Sequence, residues 1–133
     1  MRSGEIMKAV GDSCSVVVAA VGQEKINRFG EVHGTNGRTH TDPEFAENSV
    51  FKGVIVQGTL VLAPVLEALK RIYGAKRWLA GGEIETKFTS FTRPHDVVTA
   101  VFEVKEVGEA GMTIAYVCTK DDGTVVQMGT AKA

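Results

Sequence analysis

The sequence predicts an α+β fold in which a curved antiparallel sheet wraps around a long central helix. Three observations predict it. A β-branched apolar run stands near the N-terminus, a long apolar segment with helical character fills the middle, and from residue 78 onward the hydrophobic period changes to two. The chain has 133 residues, enough for one domain spanning 1–133 that buries a core without disulfide or metal staples.

The elements follow in order. "SCSVVVAAV" (13–21) is β-branched and apolar, as a strand requires. "QEKINRFGEV" (23–32) places Ile26, Phe29 and Val32 at helical spacing and turns Glu24, Lys25, Arg28 and Glu31 outward, so a short amphipathic helix is expected to end at Gly34. Asp42 followed by Pro43 starts another helix, because Asp accepts a backbone N–H as N-cap and Pro tolerates the first helical position. "TLVLAPVLEALKRIYG" (59–74) is apolar on nearly every side between Thr59 and Leu66, which implies a helix enclosed by the fold. Pro64 implies either a kink or a late start.

From there "GEIETKFTSF" alternates Ile84, Thr86 and Phe88 against Glu83, Glu85 and Lys87. "DVVTAVFEVKEV", "GMTIAYVCTK" and "GTVVQMGTA" follow, separated by Pro94, Gly108, Gly111 and "DDG", which reads as a four-stranded antiparallel meander.

Composition excludes several classes. The hydrophobic fraction is 44%, the charged fraction 23% and the formal net charge −1, with acids and bases interspersed. Nucleic-acid binding is disfavoured, since phosphate contacts demand clustered Lys and Arg. No stretch reaches the roughly 20 apolar residues of a membrane span, and "MRSGEIMKAVGDS" lacks the apolar core of a secretory signal. The expected compartment is the cytosol, or an organelle matrix if the true N-terminus is longer. Cys14 and Cys118 lie inside apolar runs without CxxC spacing and are expected as reduced core thiols. His33, His40 and Asp42 form no known metal-ligand spacing, and no metal or cofactor is expected.

One stretch concentrates chemistry. "HGTNGRTHTD" (33–42) holds two histidines, an arginine, an aspartate, two glycines and three threonines, with no aliphatic or aromatic side chain. A histidine with an ordinary pKa of about 6.5 serves as acid or base near neutrality, which makes His40 a candidate and His33 a weaker one.

The residues "FGEVHGTNGRTHTDPEFAENSVFKGVIVQGTL" (29–60), together with the order of elements, resemble the MaoC-like, hot-dog-fold family of (R)-specific enoyl-CoA hydratases and dehydratases. In that family a loop runs glycine, aspartate, any residue, asparagine, proline, any residue, histidine, any residue, aspartate. Gly34, His40 and Asp42 fall on the matching positions without a gap. Thr35 stands where the family carries its catalytic aspartate, Gly37 replaces the asparagine and Arg38 the proline.

The resemblance implies an acyl-thioester hydratase or dehydratase with His40, Thr35 and Gly58 as catalytic positions and Asn36, Arg38, Val56 and Gln57 as substrate contacts. A CoA thioester would be the substrate, and Lys76, Arg77, Lys87 and Arg93 are candidate partners for its nucleotide end. Threonine cannot replace a carboxylate, because its hydroxyl does not ionise at physiological pH, although it can orient a water. Three arrangements would restore the chemistry: His40 acting alone with Thr35 holding the water, His33 as a second base, or Glu31 or Asp42 turned inward. Two alternatives stand beside the leading reading. One is a non-catalytic thioester-binding subunit in an assembly with an active homologue, and the other a hot-dog enzyme acting on a different thioester or ring substrate. A homodimer or higher oligomer is expected, because a lone sheet leaves open edges.

Overall fold

The computed structural model describes residues 7–133. The chain runs through β1 (Ser13–Ala19), α1 (Gln23–His33), α2 (Arg38–Thr41), α3 (Pro43–Glu47), α4 (Gly58–Tyr73), α5 (Ala75–Gly81), β2 (Glu83–Phe88), β3 (Val98–Gly108), β4 (Gly111–Lys120) and β5 (Val125–Lys132). The strands form one antiparallel sheet in the order β1-β3-β4-β5-β2.

Two expectations are corrected by this topology. The late strands are not a four-stranded meander: β3, β4 and β5 pair in succession, but β2 pairs with β5 and lies at the far edge. The sheet also does not wrap the central helix. It stays open, with β1 and β2 as separate edges, and is neither curled nor closed. Helix α4 shows why no enclosure is needed. Val61, Val65, Ala68, Leu69 and Ile72 form one buried stripe, whereas Ala63, Glu67 and Arg71 remain exposed on the opposite side. Glu67 there pairs with Lys70 and Arg71 in water, so the expectation of an enclosed helix held for its buried stripe only.

Alternation along the strands builds the sheet side of the core. Val98, Ala100, Phe102 and Val104 of β3 and Ile114, Tyr116 and Cys118 of β4 are fully or almost fully buried, and they share one cluster with the α4 stripe. Gly129 of β5 has a specific steric duty, because a Cβ there would stand 2.0 Å from the Glu85 carbonyl oxygen of the paired strand. Across it the Tyr116 hydroxyl hydrogen-bonds Thr86 Oγ1, tying β4 to β2. The opposite face of the sheet is open, with Val17, Val101 and Met128 exposed.

Side-chain hydrogen bonds fasten α4 to the sheet at both ends. At its C-terminal end the buried Tyr73 hydroxyl bonds the carbonyls of Met112 (2.7 Å) and Ala131 (3.0 Å), and burial pushes the phenol pKa up to about 12. At its N-terminal end Gln127 Nε2 donates to the Gly58 carbonyl at 2.7 Å. The helix runs through Pro64 from Gly58 to Tyr73, neither interrupted there nor starting after it.

Candidate active site

The chemistry-bearing loop is shaped by its two flanking helices. α1 ends where expected: Gly34 takes the left-handed conformation (φ 74°), which glycine adopts without steric cost, and its N–H bonds the Gly30 carbonyl. Gly30 is buried because residues 35 and 36 lie directly on it; a Cβ would meet Thr35 O and Asn36 Cα at 3.0 Å. Asp42 caps α3, accepting from the Phe45 N–H at 3.1 Å, and also pairs with Arg38 at 3.1 Å. These contacts, the Phe45 N–H foremost and then Arg38, hold its carboxyl below the usual aspartate pKa. Asp42 therefore performs the capping role expected of it, and its carboxylate is engaged there rather than turned inward.

Between these helices the short α2 carries His40 toward the start of α4. His40 is held from three directions: its N–H bonds the Gly37 carbonyl at 2.9 Å, its carbonyl accepts from Gln23 Nε2 at 2.7 Å, and its ring Nδ1 meets the Ile55 carbonyl at 2.7 Å. A carbonyl oxygen only accepts, so Nδ1 is a protonated nitrogen, and in the neutral ring the lone pair is on Nε2.

His40 lines a cavity of about 490 Å³ together with Thr35, Phe51, Ile55, Val56, Gln57, Gly58, Phe88, Phe91 and Gln127. The wall is largely apolar in area, with polar side chains from Thr35, His40, Gln57, Thr59 and Gln127 and from Thr89, Ser90 and Thr92 after β2. Leu60 and Val61 make the first bonds of that helix to the Gln57 carbonyl, so the N–H groups of Gly58 and Thr59 precede the intrahelical ladder and carry the partial positive charge of a helix start. Gly58 has no Cβ, and the Phe88 ring packs where one would stand. A Cβ would stand 2.8 Å from the Phe88 ring.

Three buried oxygens at this end have no hydrogen-bond partner within the described chain: Thr35 Oγ1, Gln57 Oε1 and Gln127 Oε1. Both glutamines are only 2% exposed, and both carboxamides are fixed through their nitrogens. Gln57 donates to the carbonyls of Ile26 (2.9 Å) and Thr35 (3.0 Å), and Gln127 to that of Gly58. Buried polar oxygens of this kind usually meet a donor.

The structure brings Thr35, His40, Val56, Gln57 and Gly58 together on the cavity wall. Asn36 and Arg38 do not line it; Arg38 is exposed, salt-bridged to Asp42 and placed over the Phe45 ring at 4.3 Å. His33 packs against Phe29, with ring centroids 4.3 Å apart and the planes tilted by 36°, and Glu31 is exposed. Of the cations considered for the nucleotide end, Arg77 bonds the Ala133 carbonyl, Arg93 faces the carbonyls of Phe51 and Val54, and Lys76 and Lys87 are exposed. Phe88, Phe91 and Gln127 escaped the sequence reading. Phe88 and Gln127 are brought side by side by the pairing of β2 with β5, for which residue spacing holds no signal, and Phe91 follows in the loop after β2.

Comparison with known proteins now bears on this geometry. The family model described as MaoC like domain matches residues 5–126. The chain belongs to the MaoC-like family. Among solved structures, it is similar to an (R)-hydratase from A. caviae involved in PHA biosynthesis, at 24% identity, covering 93% of this chain and 94% of that one, with a TM-score of 0.76. It is also similar to protein af1124 from Archaeoglobus fulgidus (26% identity, 96% and 81% covered, TM-score 0.79) and to the ChsH1-ChsH2 complex from Mycobacterium tuberculosis (17%, 95% and 97%, 0.77). Curated proteins show no significant match to this chain. Among the described residues, no cluster of His, Cys, Asp and Glu is placed to hold a metal ion, and no helix is long and apolar enough to cross a membrane.

Proposed function

We propose that this MaoC-like protein is an acyl-thioester hydratase or dehydratase acting on enoyl-CoA and 3-hydroxyacyl-CoA, or on the matching carrier-protein thioesters. The observation that carries the reading is the His40 ring, with Nδ1 committed to Ile55 and Nε2 left as an acceptor, on a mostly apolar cavity that also holds the start of α4.

In the hydration direction His40 Nε2 takes a proton from water while the water oxygen bonds to the β-carbon. The π electrons move toward the α-carbon and the thioester carbonyl, and the α-carbon then takes the proton that His40 Nε2 carries, which returns the ring to its neutral form. Thr35 holds the water through its hydroxyl, in place of the family's aspartate. The amides of Gly58 and Thr59 receive the negative charge that grows on the thioester oxygen, a position where a preorganised donor contributes most. The apolar remainder of the cavity accepts the acyl chain.

A second reading is favoured by one observation. Thr35 cannot ionise, and losing one positioned acid or base typically lowers a rate by about 10²–10⁴-fold. One of the similar structures is itself a two-component complex, ChsH1-ChsH2. In this reading the chain binds thioester while a partner supplies the carboxylate. The exposed Val17, Val101 and Met128 on the outer sheet face, and the two unpaired sheet edges, suit association with a second subunit, of the same or a related chain.

Hydration of crotonyl-CoA by wild type and by Thr35→Asp separates the two. Turnover by wild type supports the enzyme; turnover only in the variant supports the binding subunit. Silence in both, with no binding of the thioester, contradicts the assignment.

A further inference from the structure

We propose that Arg93 is the positioning residue of this site, fixing the Ile55 carbonyl and through it the tautomer of His40. The inference rests on the reading of His40 as the acid/base group.

Two peptide planes flank Ile55. The plane between Ile55 and Val56 carries the carbonyl that accepts from His40, and its N–H donates to the Thr92 carbonyl at 2.7 Å. The plane between Val54 and Ile55 is held by the Ile55 N–H to the Thr39 carbonyl at 3.1 Å and by Arg93 Nη1 to the Val54 carbonyl at 3.4 Å. Arg93 Nη2 also bonds the Phe51 carbonyl. Residues 92 and 93 therefore hold the 54–56 end of the segment and the Phe51 carbonyl, beside the bonds of Phe51 to Ser49 Oγ and of Gly53 to the Ala46 carbonyl, and the Arg93 guanidinium is the side chain that bridges Phe51 and Val54.

The guanidinium is itself well placed. It lies over the Phe91 ring, 4.6 Å from the centroid, and fits against Gly53, where a Cβ would stand 2.9 Å from Nη1. The Arg93 N–H donates to Asp96 at 2.8 Å, and Asp96 is ion-paired to the half-buried Lys120 at 3.2 Å. A planar fork with several donors can serve two carbonyls at once; an ammonium offers a point charge without that shape. Arg93 thus works inward on the wall of the cavity rather than outward on a phosphate.

The chemical consequence lies at His40. A neutral imidazole has two tautomers, and its partner chooses between them. With Ile55 O fixed at 2.7 Å, the tautomer protonated at Nε2 would set two lone pairs against each other, so the ring keeps its basic nitrogen on the other side. If the carbonyl is released, both tautomers become populated and the basic nitrogen faces the cavity only part of the time.

The test is nitrogen NMR of the histidine rings, with His40 assigned by comparison with His40→Asn. Wild type is expected to show Nδ1 protonated and Nε2 unprotonated in the neutral ring. Arg93→Met keeps the packing of the aliphatic stem and removes every donor, so a folded variant is expected to show tautomer-averaged nitrogen shifts for His40. Its kcat should fall about 10- to 100-fold with little change in KM, as for partners that orient metal-ligating histidines. A folded Arg93→Met with the wild-type tautomer would overturn the proposal. Should that variant not fold, Arg93→Lys decides: averaged shifts support the role, and unchanged shifts refute it. If wild type turns over no thioester, the enzymatic reading fails, while the tautomer comparison still tests the role of Arg93.

Discussion

Replacing Gly58 by alanine separates the site's chemistry from the stability of the fold. The added Cβ would stand 2.8 Å from Cδ1 and Cε1 of Phe88, too close for either to stay in place. Phe88 is 55% exposed at the end of β2, so its ring can swing outward at small cost. Gly58 is the first residue of α4, where alanine also removes the conformational entropy of glycine in the unfolded chain, worth about 0.4–1 kcal/mol. These effects oppose each other and leave a net change within about 1 kcal/mol, or about 4 °C in Tm for a chain of this size.

The effect on turnover is different in scale. On the proposed function, a methyl group at the helix start and the displaced Phe88 ring crowd the approach of the thioester oxygen to the Gly58 amide, and losing one such donor lowers kcat by about 10²–10³-fold. The assay is crotonyl-CoA hydration beside a thermal melt of both proteins. A Gly58→Ala protein that melts like wild type and keeps its kcat within threefold would refute the placement of the oxyanion at this helix start.

Three further outcomes follow from the same contacts. Gln57→Leu removes the donors to Ile26 O and Thr35 O and is expected to cost about 1–3 kcal/mol, seen as a Tm lowered by about 4–11 °C in calorimetry. Asp42, whose folded pKa is depressed, contributes stability that is present above the ordinary aspartate range and lost as pH falls through the depressed value; acid titration of Asp42→Asn should therefore show a flatter loss below about pH 4 than wild type. Cys118 has the opposite sign. Burial raises its thiol pKa from 9.0 to about 12, so stability is full below pH 9.0 and declines as pH rises toward 12, and iodoacetamide at pH 8 should leave Cys118 unmodified until denaturant is added, as read by mass spectrometry.

What could be read from sequence was what local spacing encodes. Helix α1 and its stop at Gly34 follow from the period of Ile26 and Phe29 and from glycine's tolerance of positive φ. The start of α3 follows from Asp42 and Pro43, and the ranges of β2, β4 and β5 follow from alternation bounded by glycine. Local spacing does not encode which strands become neighbours. The alternation in β2 is equally compatible with pairing to β3, and only tertiary packing sends it to β5. The open sheet had the same origin: an apolar run from Thr59 to Leu66 looks enclosed, yet Ala63 and the Glu67–Arg71 surface meet water. At the site, the resemblance of the loop and of the helix junction singled out Thr35, His40 and Gly58, which line the cavity, while Gln127 and Phe88 reach it from the distant, paired strands β5 and β2.

The substitution His40→Asn tests the central claim most directly. Its side-chain amide can still donate to the Ile55 carbonyl, so the loop is supported while the titrating group is removed. The account predicts a protein with near wild-type thermal stability whose crotonyl-CoA hydration rate is lower by about 10²–10⁴-fold. A folded variant that hydrates crotonyl-CoA within threefold of the wild-type rate would contradict it.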